Sequence, residues 1–211
     1  MSVVNVVEHP LVKHHIARLR DVETSPIEFR LLVQRLAVLL AYEATQDLDV
    51  AEIEIQTPIE RTVGHRLTQR IGLVPILRAG LGMVDPILNL IPDAEVWHLG
   101  LYRDEQTAQP VEYYSKLPPG RPVDIALVVD PMLATGGSAV SALETLRKWG
   151  VRQTRLLSII AAPEGIQEVA SRFPTTPVHV CAVDRCLNDQ HFIVPGLGDA
   201  GDRIFNTTND G

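Results

Sequence analysis

The strongest chemical signal in the chain is a short segment that joins a predicted strand to a predicted helix. Asp130 ends the strand, and Thr135 and Ser138 bracket the glycine pair Gly136-Gly137 just before the helix. Backbone N–H groups, hydroxyl groups and the dipole of the helix can together hold a phosphate. A carboxylate at the strand end can accept hydrogen bonds from sugar hydroxyl groups. The segment therefore predicts a site for a phosphorylated sugar, and a capped turn with a solvated Asp130 is the alternative interpretation.

Arginines, acids and glycines also follow other predicted strands. Arg78-Ala79-Gly80-Leu81-Gly82 follows residues 71–77, Arg103 follows residues 96–102, and Asp184-Arg185 follows residues 178–183. Two arginines, a carboxylate and a glycine-rich turn suit a ligand with phosphate and hydroxyl groups that also brings a metal ion. For Asp184 two roles remain open, an accessory role at the strand end and a structural ion pair with Arg185.

The elements that would position these residues form an alternating pattern. Apolar, mostly unalternating runs indicate strands that are buried on both faces, as in a parallel sheet; they cover residues 71–77, 96–102, 125–129, 156–161 and 178–183. Helical patterns at 138–149 and 163–173 lie between several of them. The order predicts an open, mainly parallel α/β sheet flanked by helices, with the ligand at the carboxyl ends of the strands.

The first 70 residues follow a different pattern. Ser25-Pro26 begins a predicted helix as N-cap and first-turn residue, and Glu28 completes a capping box. The apolar side of this helix predicts a core or subunit contact and comprises Phe29, Leu32, Leu36 and Leu39 or Leu40. Alternation at Ile53, Ile55 and Thr57 predicts a half-buried strand of a β-hairpin. We expect a single domain over residues 1–211, in which residues 1–50 are an N-terminal helical appendage.

Composition limits the class of protein. The 211 residues are 45% hydrophobic and 21% charged, as in ordinary globular domains. The formal charge of −7 counts against non-specific binding of nucleic acid. Residues 1–10 lack the apolar core of a signal peptide, and the longest apolar run, residues 36–42, is too short to span a membrane. With Cys181 and Cys186 expected as buried free thiols, the prediction is a cytoplasmic protein without a membrane segment.

Four segments of the chain resemble one enzyme family. Residues 128–138, read as Val-Val-Asp-Pro-Met-Leu-Ala-Thr-Gly-Gly-Ser, resemble the phosphoribosyl-pyrophosphate signature of type I phosphoribosyltransferases, in the form of the uracil branch. Residues 75–83 resemble its pyrophosphate loop, residues 102–105 the start of its mobile loop, and residues 196–203 its C-terminal uracil loop. The resemblance extends over nearly the whole chain with the motifs in the same order. It implies the type I phosphoribosyltransferase fold and pyrimidine salvage, in which uracil and 5-phospho-α-D-ribose 1-diphosphate give UMP and diphosphate.

The resemblance also implies roles for individual residues. Arg103 and Asp130 would be catalytic, with Arg103 approaching the leaving pyrophosphate and Asp130 lying under the cationic sugar. Arg78 and the backbone N–H groups of residues 79–82 would hold the pyrophosphate. The full set expected to bind phosphoribosyl pyrophosphate is Arg78, Ala79, Gly80, Arg103, Asp130, Pro131, Met132, Leu133, Ala134, Thr135, Gly136, Gly137, Ser138 and Asp199. Residues 190–211 would form a base-recognition segment whose uracil contacts are Ile193, Gly198, Asp199 and Ala200.

Three further expectations come from the resemblance. Most type I members place two adjacent acids at the strand end, whereas Pro131 follows Asp130 here, so Mg²⁺ is expected to arrive on the substrate without a direct protein ligand. One peptide bond between Leu77 and Gly82 is expected to be cis. Residues 104–112 are expected to form a lid that closes over the substrates.

Two other functions remain open at this point. An RNA-binding regulator of the pyrimidine attenuator type would use the same fold, but it calls for a basic face. A phosphoribosyltransferase for another base, purine or orotate, is the second, although the loop at residues 196–201 offers no cation for the orotate carboxylate. The family resemblance further implies homo-oligomers, dimers or larger, and activation by GTP in some members.

Overall fold

The computed structural model describes residues 4–103, 110–115 and 117–207, and for residues 101–103 and 110–115 it describes the backbone alone. The helices are α1 (Pro10–Arg20), α2 (Pro26–Ala44), α3 (Val84–Leu90), α4 (Gly137–Trp149), α5 (Pro163–Arg172) and α6 (Ala200–Phe205), and a 3₁₀ turn spans Ala79–Met83. The strands are β1 (Val4–Val6), β2 (Val50–Gln56), β3 (Arg61–Leu67), β4 (Ile71–Pro75), β5 (Glu95–Val96), β6 (Leu99–Arg103), β7 (Pro110–Ser115), β8 (Ile125–Val129), β9 (Met132–Leu133), β10 (Gln153–Ala161), β11 (Val178–Val183), β12 (Cys186–Leu187) and β13 (Ile193–Val194).

A seven-stranded sheet organises the molecule. Its strands lie in the order β1-β11-β10-β8-β4-β5, with β9 beside β10, and every pair is parallel. The central strands β4 and β8 are buried along their whole length, as their unalternating apolar sequences predict. The predicted open parallel sheet is therefore confirmed. One predicted strand is wrong, because residues 96–102 divide between β5 in the main sheet and β6, which pairs antiparallel with β7 outside it.

Two apolar clusters cover the two faces of this sheet. One cluster includes the buried sides of α1, α2, α3 and α6, and the other includes those of α4 and α5. Among the described residues, the helices are too short or too polar for any of them to cross a bilayer. The layers leave the carboxyl ends of β4, β8 and β11 on one edge, where the polar residues identified in the sequence meet.

The N-terminal segment is more closely joined to the sheet than a helical appendage would be. Residues 4–6 form β1, an edge strand that the sequence did not suggest, in parallel register with β11. Helix α2 begins where predicted, with the hydroxyl of Ser25 accepting from the backbone N–H of Glu28. Its predicted apolar stripe is buried against the sheet, and Phe29, Leu36 and Leu40 have no exposed surface. The N-terminal segment thus supplies a large part of the core on one face of the sheet.

The predicted β-hairpin is present, and its predicted inward face is partly covered: Ile53 and Thr57 are half-buried, whereas Ile55 is exposed. Strands β2 and β3 pair antiparallel from Val50↔Leu67 to Gln56↔Arg61 and contact no third strand among the described residues. Ile55 and Val63 are exposed, and Ile59 at the turn is 92% exposed. A two-stranded hairpin is at best marginally stable alone in water. The alternating sequence predicted the strand correctly, but it could not show how far the apolar side of the strand is covered.

Candidate active site

An open cavity of about 350 Å³ lies at the carboxyl ends of β4 and β8. Three parts of the chain line it: residues 76–79 after β4, four residues after β8 (Asp130, Met132, Ala134 and Ser138), and the C-terminal part with residues 190–192 and 199–201. The structure therefore brings together three of the segments singled out in the sequence. It does so at the sheet edge where open α/β folds bind ligands.

Asp130 lies at the floor of this cavity, directly after β8. Its Oδ1 accepts a hydrogen bond of 3.3 Å from the backbone N–H of Met132. Burial raises the pKa of Asp130 to about 7; the Met132 hydrogen bond opposes this shift, and the nearby charge of Asp199 adds to it. A carboxyl group with a pKa near neutrality has its charge set by what binds beside it. This is the property expected of a group that meets a sugar becoming cationic.

The loop from Ala134 to Ser138 presents an uncapped helix start. Gly136 precedes α4 in the left-handed conformation, with φ of 84°, and no side chain caps the first turn of α4 within the described part of the chain. Ala134 and Ser138 line the cavity, while Thr135 and Gly136 lie against a smaller adjoining cavity of about 170 Å³. Free N–H groups at the start of a 13-residue helix form an anion site. The geometry thus supports the phosphate role predicted for this loop.

Two predicted binding residues in this segment lie away from the main cavity. The side chain of Leu133 is buried in the core, and the carbonyl of Pro131 accepts from the N–H groups of Ile159 and Ile160, each at 3.0 Å. Neither residue lines the main cavity. They anchor the loop to β10, so we assign them to support of the loop.

The loop after β4 holds Arg78 at the cavity wall. The peptide bond between Leu77 and Arg78 is cis, as expected from the resemblance. A guanidinium nitrogen of Arg78 lies 3.1 Å from Oδ1 of Asp202, on α6. The N–H groups of Gly80 and Leu81 already donate to Ile76 and Arg78 carbonyls, at 2.9 and 3.1 Å. These two N–H groups are therefore not free for pyrophosphate, which corrects the expectation that all of residues 79–82 donate to it.

Gly80 contributes to the site through its size. A Cβ built on Gly80 would lie 2.5 Å from the carbonyl oxygen of Val129, so only glycine permits this close approach of the loop to β8. Ala79, by contrast, lines the cavity directly.

The C-terminal loop between β13 and α6 offers unpaired backbone groups. Gly198 has φ of 78°, and among the described residues neither its N–H nor its carbonyl has a protein partner. Asp199 caps α6 by accepting from the N–H of Asp202 at 2.9 Å, and it lines the cavity together with Ala200. The side chain of Ile193 is buried in the core, so any contact of this residue with a base would use its backbone.

A model of the uracil phosphoribosyltransferase family matches residues 6–207. A relative from Roseiflexus sp. (strain RS-1), named uracil phosphoribosyltransferase, is 57% identical over 98% of this chain and 100% of its own length. A relative of the same name from Symbiobacterium thermophilum is 52% identical, again over 98% of this chain and all of its own. A solved structure of an Aquifex aeolicus protein, 37% identical, superposes with a TM-score of 0.92 over 98% of this chain and 99% of that one.

The chain belongs to the uracil phosphoribosyltransferase family. This confirms the resemblance seen in the four sequence motifs. For such a phosphoribosyltransferase, the expected lid at residues 104–112 falls largely on residues 104–109, outside the described part of the chain. Arg103 ends β6, and its side chain also lies outside the described part.

The donor groups at the site of this phosphoribosyltransferase do not form a metal centre. Within the described ranges, no group of three or more His, Cys, Asp or Glu side chains is arranged to hold a metal ion. At the end of β8, Pro131 offers only a carbonyl that is already hydrogen-bonded. Among the described residues at the end of β8, Asp130 is therefore the one side chain with a carboxylate to offer a cation, since Pro131 replaces the second acid.

Several residues at the site were not found by sequence reasoning. Gln190, His191 and Phe192 line the cavity, and Asp202 pairs with Arg78. Gly165 on α5 supports the phosphate loop from below, since a Cβ there would overlap the carbonyl of Ala134 and lie 2.9 Å from that of Leu133. Residues 190–192 lie within the predicted base-recognition segment and Asp202 lies within the motif at residues 196–203, but no role was predicted for any of them; Gly165 lies in no motif.

Proposed function

We propose that the protein transfers the 5-phosphoribosyl group of phosphoribosyl pyrophosphate to N1 of uracil and releases UMP and diphosphate. One observation carries this proposal: a single cavity joins the uncapped start of α4 to the loop at Asp199 and Ala200 beside unpaired Gly198. The first element suits a 5′-phosphate and the second suits a flat base. The names of the relatives from Roseiflexus and Symbiobacterium support the choice of uracil.

The chemistry is a displacement at C1 of the ribose. The bond from C1 to the pyrophosphate oxygen breaks as the bond to N1 of uracil forms, and the proton of N1 is released to water or to the departing diphosphate. During this step the sugar gains positive charge and the leaving group gains negative charge. Asp130 accepts from the ribose hydroxyls and, when ionised, opposes the sugar charge from below. Arg78 meets the growing charge of the pyrophosphate, and by family resemblance Arg103 does so too. Catalysis then comes from positioning the two substrates and from stabilising the leaving anion.

Mg²⁺ enters this proposal as part of the substrate. Pyrophosphate and ribose oxygens are the hard ligands that Mg²⁺ prefers, and the ion commonly binds proteins through substrate phosphates. When bound it would neutralise pyrophosphate charge, while the protein groups orient the sugar and the base.

Uracil recognition is assigned to backbone groups of the C-terminal segment, residues 190–211. Uracil presents oxygen, N–H and oxygen along one edge, whereas cytosine presents oxygen, a bare nitrogen and an amine. An N–H facing the 4-oxygen and a carbonyl facing N3–H would each be mismatched by cytosine, at roughly 1–3 kcal/mol per contact. Gly198 carries one free group of each kind.

Association of copies through the β2–β3 hairpin completes the proposal. Ile55 and Val63 are exposed on opposite faces of a hairpin that has no third strand among the described residues, and Ile59 is exposed at its turn. Large exposed apolar groups on such an element favour contact with another copy of the chain. Activation by GTP and a cytoplasmic location are implied by the family resemblance and belong to the same proposal.

The deciding experiment incubates the protein with phosphoribosyl pyrophosphate and Mg²⁺ against uracil, cytosine, orotate, hypoxanthine and adenine. We expect UMP from uracil, diphosphate in equal amount, and little product from the other bases, with parallel samples testing GTP. Product from a different base would show that this base, and not uracil, is the substrate. No transfer to any base, together with salt-dependent binding of RNA, would show that the protein is an RNA-binding regulator and not an enzyme.

A further inference from the structure

A buried ion pair lies behind the C-terminal loop. Asp184 follows β11, and its side chain is only 4% exposed. Its partner is Arg20, the last residue of α1, and not the neighbouring Arg185 that the sequence offered. The contact is bidentate, with Nη1 of Arg20 2.7 Å from Oδ2 and Nη2 2.5 Å from Oδ1. A lysine could not reproduce this paired geometry.

The pair holds both polar groups of one loop residue. The N–H of Gly196 donates to Oδ2 of Asp184 at 2.9 Å, and the carbonyl of Gly196 accepts from Nη1 of Arg20 at 2.8 Å. The left-handed conformation of Gly196, with φ of 64°, allows both contacts at once. The pair therefore fixes the orientation of Gly196 within the loop.

A second arginine extends the same support by one residue. Nη1 of Arg203 donates to the carbonyl of Leu197 at 2.9 Å and to that of Leu19, in α1, at 2.8 Å. The guanidinium also lies 4.3 Å from the centre of the Phe29 ring. Gly196 and Leu197 are thus both tied to the C-terminal end of α1, and the next residue along the chain is Gly198.

We propose that Arg20 and Asp184 are positioning residues for uracil recognition. The proposal rests on the function proposed above. The pair lies behind the loop and does not line the cavity. By holding Gly196 it sets the direction in which the free N–H and carbonyl of Gly198 point. Without the pair the loop keeps its sequence but loses the fixed geometry that separates uracil from cytosine.

The choice of an ion pair supports an orienting role. Two charges removed from water are costly, and apolar residues of similar size often stabilise a fold as well. Apolar residues could not satisfy the N–H and carbonyl of Gly196, which Asp184 and Arg20 do. The buried polar groups of the loop therefore need these partners in this arrangement.

The test compares Arg20→Ala, Arg20→Lys and Asp184→Asn with the unaltered protein. We expect Arg20→Ala to raise the KM for uracil roughly tenfold and to lower the preference for uracil over cytosine by a similar factor, while the KM for phosphoribosyl pyrophosphate changes less than about twofold. Guanidinium ion added to Arg20→Ala should restore part of the preference. Arg20→Lys and Asp184→Asn should shift the same two quantities by smaller factors.

Arg18→Ala is the matched control. Arg18 lies on the same helix and pairs with Glu28 at an exposed position, so its loss should leave both KM values unchanged. Uracil KM and base preference unchanged in folded Arg20→Ala and Asp184→Asn would overturn the inference. Equal rises in both KM values, without guanidinium rescue, would show a structural role only and would also overturn it. An unaltered protein that forms no UMP would instead refute the proposed function on which the inference rests.

Discussion

The two ends of the cavity are built in different ways. The phosphate end consists of consecutive residues, 130–138, whose hydrogen bonds run to the adjoining strand β10 and whose free N–H groups come from one helix. The base end is a loop whose backbone is held by Arg20, Asp184 and Arg203, drawn from α1, the end of β11 and α6. The proposed phosphate site is thus built mainly from one continuous segment, whereas the proposed base site is held by residues from three separate elements. Substitutions should separate these two kinds of dependence.

The largest effect is expected where the phosphate end depends on a distant residue. In Gly165→Ala the new methyl group would overlap the carbonyl of Ala134, and backbone atoms cannot move away cheaply. Overpacking of about 1–3 kcal/mol displaces the loop, so affinity for phosphoribosyl pyrophosphate should fall by up to about 100-fold. Calorimetric titration with phosphoribosyl pyrophosphate measures this change.

Gly120→Ala provides the control for Gly165→Ala. Gly120 has a positive φ, but a Cβ added there would have no atom within 4 Å, so any loss in this variant reports backbone strain alone. If both variants bind phosphoribosyl pyrophosphate like the unaltered protein, the phosphate loop does not depend on packing against α5. The phosphate loop would then differ even more from the base loop, which is held by distant residues.

The next largest effect tests the base end. Gly198→Val places a β-branched residue at φ of 78°, where L-residues are disfavoured by about 1–2 kcal/mol, and turns the free N–H and carbonyl away from the base. We expect uracil affinity to fall roughly 30-fold while phosphoribosyl-pyrophosphate affinity is kept, as measured by the two KM values. Gly198→Asn should lose less, because asparagine tolerates this conformation. Unchanged preference for uracil over cytosine in Gly198→Val would contradict backbone recognition by this residue.

Sequence reasoning succeeded where chemistry and geometry are local. Asp130 and Ser138 were predicted to lie at one ligand site because a strand end, a glycine pair and a helix start follow one another within nine residues, and both line the cavity. The unalternating strands 125–129 and 178–183 matched β8 and β11 for the same reason. The edge strand β1 escaped prediction because three residues carry too little pattern.

The residues that were missed depend on tertiary contacts. Asp184 pairs with Arg20 across 164 positions of sequence, and Arg78 pairs with Asp202 across 124. A neighbour in sequence, Arg185, was the only visible partner for Asp184 before the fold was known. The exposure of the β2–β3 hairpin was likewise hidden, since alternation shows that one face is apolar but not what covers it.

A smaller effect is expected at the residue that links the two ends. Arg78 belongs to the loop after β4, yet its partner Asp202 lies on α6 beside the base loop. Arg78→Ala removes a charge-assisted contact with pyrophosphate from a largely exposed side chain, so affinity for phosphoribosyl pyrophosphate should fall roughly tenfold with uracil KM nearly constant. Arg185→Ala, which removes an exposed arginine at the same sheet edge, is the matched control. Equal losses of affinity in the two variants would show that Arg78 acts only through its positive charge and not through a specific contact with pyrophosphate.

The smallest effect on kinetics is a dependence on pH that should arise from Asp130. Burial raises the pKa of Asp130 to about 7, so in the free enzyme this group is protonated below that pH and charged above it. We expect kcat/KM for phosphoribosyl pyrophosphate to rise a few-fold more between about pH 6 and pH 8 in the unaltered protein than in Asp130→Asn, whose remaining slope reports the titration of the substrate itself.

The stability of the folded protein should change with pH in the opposite direction. Because the folded pKa lies above the unfolded value of 3.8, the folded state binds more protons between these values, and the free energy of unfolding falls as pH rises through this window. Asp130→Asn removes that dependence and should be the more stable protein at about pH 8, by roughly 1–4 kcal/mol in denaturant unfolding. Parallel pH profiles of the two proteins, in kinetics and in unfolding, would show that Asp130 is already charged at the acidic end of this range.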